Sequence, residues 1–135
     1  MSLKTGWIEK RWHERKKATW DVTYQVIGSE EAVSLCRECH SSISSVLERE
    51  QDSKIHAITH DFAVSGLAVI GNQTFHTGTK LLLYIHHPSR RPSLVMVAEV
   101  VHSAAEPFSS DHLYRSGMKI LGVQEETFHR ILFEL

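Results

Sequence analysis

The sequence predicts a mainly β domain: a six-stranded antiparallel β-barrel with a C-terminal helix and one inserted amphipathic helix. Three observations carry this. Short alternating or continuous apolar runs recur along the chain, separated by turn signals. One segment starting at Ser29 repeats its apolar residues at helical spacing, and a shorter one closes the chain. No linker, internal repeat or low-complexity stretch divides the 135 residues, so a single domain spanning 1–135 with one core is expected. Closure follows because an open sheet of short strands leaves two edges exposed to pairing.

The elements follow in chain order. Residues 1–17 form a basic arm carrying Lys4, Lys10, Arg11, Arg15, Lys16 and Lys17. From Ala18 to Ile27, Trp20, Val22, Tyr24 and Val26 alternate with Asp21, Thr23 and Gln25, the pattern of a half-buried strand. Gly28 breaks it, Ser29 is a candidate N-cap, and Glu30 and Glu31 suit the positive end of a helix dipole. A helical insertion over 29–53 then presents Ala32, Leu35, Cys36, Cys39, Ile43, Val46 and Leu47 on one stripe and fades between Glu50 and Ser53. That stripe could pack across the barrel's open end. Alternatively Val33, Cys36, His40, Ile43 and Leu47, three and four apart, could form a seam with a second copy, giving a homo-oligomer.

The remainder reads as β structure up to the last helix. Ile55 to His60 is a strand, and Gly66 to Ile70 another after a tight corner at Val64 and Ser65. Gly71-Asn72 and Thr77-Gly78 mark turns. Lys80 to His86 and Ser93 to His102 are apolar strands joined by a polar, proline-bearing loop over 87–92. Ala104 to Asp111 reads as an irregular loop and Leu113 to Val123 as a further strand. Phe128, Ile131, Leu132 and Leu135 stand at i, i+3, i+4 and i+7, a short amphipathic helix.

Composition narrows the function. A formal net charge of −1 argues against a DNA or RNA polymer as partner, because such binding needs a strong basic excess. The concentration of cations in the arm suits a small anion better. No apolar run is long enough to span a membrane, and no secretory h-region follows the first charges. Two cysteines three residues apart cannot build a secreted disulfide framework, so the cytoplasm is the expected compartment.

Two patterns stand out for their order. Arg11-Trp12-His13-Glu14-Arg15 places two arginines four apart just before the first strand. Asp61-Phe62-Ala63-Val64-Ser65-Gly66 places an acid, a small residue two later and a glycine five later at a strand corner. Together they resemble the PilZ family, whose signature is R-x-x-x-R followed by [D/N]-x-S-x-x-G. Leu67-Ala68-Val69, Thr77 to Leu83 and Tyr114 to Ile120 extend the likeness over nearly the whole chain outside Gly28 to Lys54.

The resemblance implies a receptor for cyclic di-GMP that carries no cofactor, is not an enzyme, and relays the messenger level to a protein partner by reordering its arm. The residue chemistry agrees. The guanidinium forks of Arg11 and Arg15 can bridge phosphate oxygens, pair with guanine O6 and N7, or stack on a base. Asp61 can accept from guanine's N–H donors, and Gly66 would allow close backbone approach or a positive φ. Ala63 departs from the pattern. It stands where the family has serine, and the lost hydroxyl bond costs about 1 kcal/mol, which predicts weaker rather than abolished binding.

Neither motif is specific alone, since basic arms are commonly just solvated and Asp with Gly is ordinary corner chemistry. Two other readings therefore stand beside the receptor. A protein-interaction adaptor would keep the fold without the nucleotide. A small haem or metal protein would use Cys36, Cys39 and His40, which match C-x-x-C-H. Against the latter, both cysteines fall on the predicted buried stripe, where small apolar thiols are common. The ten histidines show no metal-binding spacing, and no nucleophile elbow or phosphate loop is present.

Overall fold

The computed structural model describes residues 16–41, 50, 55–88, 93–106 and 112–134. Its strands are β1 (Lys16–Lys17), β2 (Asp21–Ile27), β3 (Ile55–Ala63), β4 (Gly66–Gly71), β5 (Lys80–His86), β6 (Leu94–Ala105) and β7 (Tyr114–Val123). The helices are α1 (Ser29–Ser41) and α2 (Glu125–Glu134). All strand pairs are antiparallel, in the order β3-β2-β5-β6-β7-β4, and β4 returns to β3. Six strands thus close a barrel. The two-residue β1 is a seventh strand that adds to β3 at Asp61 and Phe62.

The longest apolar runs are continuous because both faces of the wall are buried. Leu81, Leu83 and Ile85 of β5 and Leu94, Met96, Ala98 and Val100 of β6 point into the barrel core. The residues between them, Leu82, Tyr84, Val95 and Val97, point outward into a second core completed by Ile27, Ala32, Leu35 and Cys39. The inserted helix α1 therefore lies on the outer wall, not across an open end. Its approach to β7 is close: a Cβ at Gly122 would sit 2.8 Å from the Cys36 sulfur and 2.9 Å from the Cys36 Cα. The part of the insertion over 42–49 lies outside the described residues.

The helix that enters the barrel core is α2. Phe128, Ile131 and Leu132 join that core, while Phe133 is 73% exposed. The Phe128 ring stands 6.3 Å from that of Phe62 on β3. Glu125 and Glu126 supply negative charge to the first turn of α2, whose last turn has no basic residue of its own. Lys16 supplies one from elsewhere, donating from Nζ to the carbonyl of Leu132 at 3.1 Å.

Several boundaries shift for physical reasons. The strand expected from Ala18 is interrupted over 18–20, where the Thr59 side chain joins the backbone bonds between the two segments. Its hydroxyl accepts from the Trp20 amide at 2.8 Å and donates to the Ala18 carbonyl at 2.6 Å. The end of the arm is strand rather than free chain. Val26 does not face a core and is 56% exposed, because β3 pairs with β2 only as far as Tyr24. β3 runs on to Ala63 and β6 to Ala105, since β4 and β7 give them partners that periodicity does not reveal.

Candidate functional site

The corner between β3 and β4 organises the site. Asp61 pairs with Ala68, Phe62 with Leu67 and Ala63 with Gly66, so Asp61, Ala63 and Gly66 lie on one hairpin. Phe62 is inside the barrel core, which sets Asp61 and Ala63, one residue to either side, on the opposite face. Gly66 has a structural reason to be glycine. Positive φ among the described glycines occurs at Gly78, not at Gly66. A Cβ at Gly66 would instead stand 2.5 Å from the Met118 carbonyl oxygen of β7, so the bare backbone allows the hairpin to close on its neighbour. The turn is also fastened to β7, with the Ile120 amide donating to the Ser65 carbonyl at 2.9 Å.

A β-bulge lies immediately before Asp61. Thr59 pairs with Val69 and Asp61 with Ala68, leaving His60 as the extra residue. Thr59 and Phe62 are both 1% exposed although they stand three residues apart, a spacing that puts side chains on opposite faces of a regular strand; the bulge shifts the alternation between them. The bulge brings two adjacent side chains together: His60 Nδ1 lies 2.7 Å from Asp61 Oδ2. Their side chains are 26% and 14% exposed respectively.

The arm reaches this corner. Lys16 pairs with Phe62 and Lys17 with Asp61, so Lys17 and Asp61 face the same side of the sheet. The Ala18 amide donates to the His60 carbonyl at 3.4 Å. Nearby, the half-buried Trp20 ring lies 5.2 Å from Phe62 and 4.6 Å, edge-on, from His87. Arg11 and Arg15 lie outside the described residues. What the structure brings together is therefore Asp61, Ala63 and Gly66 with the strand that follows Arg15 directly in sequence.

Sequence reasoning did not place His60, Lys17 or Thr59 at the corner that carries Asp61. The signal for His60 was present as a change of parity: Ile55, Ala57 and Thr59 share one phase of alternation and Phe62 the other. Lys17 and Thr59 gave none, since their roles depend on which strands meet.

Other clusters have structural explanations. Cys39 is 1% exposed in the second core, and burial, with the Cys36 and Glu38 charges adding to it, pushes its thiol up to about 11. Burial raises the Cys36 thiol as well. Both are held as neutral, apolar groups on the barrel side of α1, which fits core packing and not haem attachment through Cys36, Cys39 and His40. Among the described residues no three His, Cys, Asp or Glu side chains are grouped to hold a metal ion. The Ser93 hydroxyl donates to Glu50, so His86 Nδ1 donates to Ser93 Oγ at 3.1 Å and His86 Nε2 accepts from Thr23 Oγ1 at 3.2 Å. This polar chain fastens Glu50, just beyond the insertion's central part, to the ends of β5 and β6. On the outer wall, Glu99 bridges Lys80 at 3.0 Å and Lys119 at 3.1 Å, and the hydrogen bond from Lys80, then that from Lys119, lowers its carboxyl. No helix among the described residues is long and apolar enough to cross a membrane.

Comparison with known proteins places this architecture. The chain is similar in structure to the Bacillus subtilis inhibitor of motility MotI/DgrA, with 16% identity and a TM-score of 0.60 over 90% of this chain and 47% of that one. It therefore spans about half the length of that protein. It is similar also to a pathogenic protein of Xanthomonas campestris described as a tetrameric PilZ domain self-assembled through a helical bundle. There the identity is 16% and the TM-score 0.55, over 90% of this chain and 85% of that one. At such identity these likenesses establish the fold alone. No curated protein matches the chain. The PilZ domain family model matches residues 38–134, a span that begins after the arm and contains Asp61, Ala63 and Gly66. With most of its length matched and its strands closed into the barrel just described, the chain belongs to the PilZ domain family.

Proposed function

We propose that this domain is a cyclic di-GMP receptor of the cytoplasm, a binding module rather than an enzyme, in which Arg11 and Arg15 fold over the corner carrying Asp61, Ala63 and Gly66. The observation that carries the reading is the pairing of Lys17 with Asp61 and of Lys16 with Phe62. Arg15 is bonded to Lys16, and consecutive Cα atoms are about 3.8 Å apart, so its backbone lies within a residue's length of that pairing. A guanidinium fork on such a tether can reach a phosphate held beside the corner, while Asp61 accepts from a guanine edge. Ligand that orders the arm also acts on Lys16, whose ammonium caps α2, and this gives a route from nucleotide to a protein partner.

The adaptor reading, in which the fold is kept and the nucleotide is not bound, is favoured by one observation. Ala63 offers no hydroxyl where the family pattern has serine. Calorimetric titration of cyclic di-GMP into the wild type and Arg15→Ala separates the two. The receptor reading expects saturable binding by the wild type and a loss of at least about tenfold in affinity for Arg15→Ala, the scale of a charge-assisted bidentate contact. Absence of heat from the wild type at high micromolar nucleotide favours the adaptor.

A further inference from the structure

We infer that His60 is a positioning residue of the binding site, holding the Asp61 carboxylate in the orientation that receives the ligand; the inference rests on the receptor reading above. Position comes first. His60 owes its place to the bulge between Thr59 and Asp61, because in a regular strand adjacent side chains point to opposite faces and could not meet. Here they meet at 2.7 Å, between His60 Nδ1 and Asp61 Oδ2, the short distance of a bond to an ionised acceptor.

The chemistry follows from what each group can do. A carboxylate has two oxygens and about four lone-pair directions, so a bond to Oδ2 fixes its plane without exhausting its capacity to accept. A carboxylate fixed before the ligand arrives loses less side-chain freedom on binding, which is the general source of preorganised affinity. Ala63 cannot contribute a hydroxyl to this corner, and β4, which lies against it as Gly66–Gly71, carries no polar side chain at all. Beside Asp61 on its own strand stands His60, while Lys17 faces it from β1. The backbone of His60 engages the arm, its carbonyl accepting from the Ala18 amide at 3.4 Å. A single bulged residue touches both halves of the site.

The test is calorimetric titration of cyclic di-GMP against the wild type, His60→Ala, His60→Leu, His60→Gln and Asp61→Asn. His60→Ala and His60→Leu are expected to weaken binding by about five- to tenfold, the scale of one ordinary hydrogen bond, because the histidine acts on the ligand only through the acid. His60→Gln, which restores an N–H donor, is expected to recover most of the loss. The double variant of His60→Ala with Asp61→Asn should bind as Asp61→Asn does, because the histidine acts through the acid. A purely structural role would make Leu and Gln behave alike, and that result overturns the inference. So does wild-type affinity in His60→Ala. If the wild type itself binds no nucleotide, the receptor reading falls and takes this one with it, whereas binding by the wild type with unaltered His60 variants removes this one alone.

Discussion

Both described helices carry a pair of glutamates in the first turn, Glu30 and Glu31 in α1 and Glu125 and Glu126 in α2, yet they bury against opposite sides of one wall. The stripe of α1 meets the outward residues Leu82, Tyr84, Val95 and Val97, and forms a core of its own. The stripe of α2 enters the barrel, where Phe128 contacts Phe62, the neighbour of Asp61. The arm touches α2 as well, through Lys16 and the Leu132 carbonyl. Two helices with the same kind of sequence signal thus stand in different relations to the site. One completes the core beneath it and is tied to the arm; the other braces the wall.

The largest expected effect breaks the α2 side of this comparison. Phe128→Ala empties a 1% exposed aromatic position in the barrel core, and should cost about 3–5 kcal/mol in denaturant unfolding. A loss below about 1 kcal/mol would mean that α2 is not part of the core. On the α1 side, Gly122→Ala places a methyl against the Cys36 backbone as well as its sulfur, so α1 must shift; about 1–3 kcal/mol is expected. Because α1 stands apart from the corner, nucleotide affinity of that variant should equal the wild type's in calorimetry. A large fall in affinity would erase the distinction between the helices. The smallest effect sharpens it. Lys16→Met keeps the apolar stem and removes the ammonium from the end of α2, for which about 0.3–1 kcal/mol is expected. Hydrogen exchange should localise the change to the last turn of α2 and leave α1 as it was; equal loosening of both helices would argue against a specific tie.

Much of the corner was legible. The order of Arg11 and Arg15 before Asp61, Ala63 and Gly66 pointed to the family, and the tight turn at Val64 and Ser65 lies where turn chemistry places it. The role of Gly66 was not legible, because the carbonyl that excludes a side chain there belongs to Met118, more than fifty residues away. His60 was hidden for a related reason. A bulge is a property of two strands in register, and its trace in a single strand is only a slip in alternation between Thr59 and Phe62. The sequence also showed that β5 and β6 are apolar throughout, but not what covers their second face.

By itself, then, the chain determined its element types, its barrel class and its family, because apolar period, turn residues and motif order are local and survive in one dimension. Tertiary structure decided which wall α1 covers, which helix enters the barrel, and that His60 and Lys17 stand with Asp61. Those outcomes depend on pairing register and on contacts between residues distant in the chain, where side-chain direction is set by a partner strand and not by the neighbours in sequence.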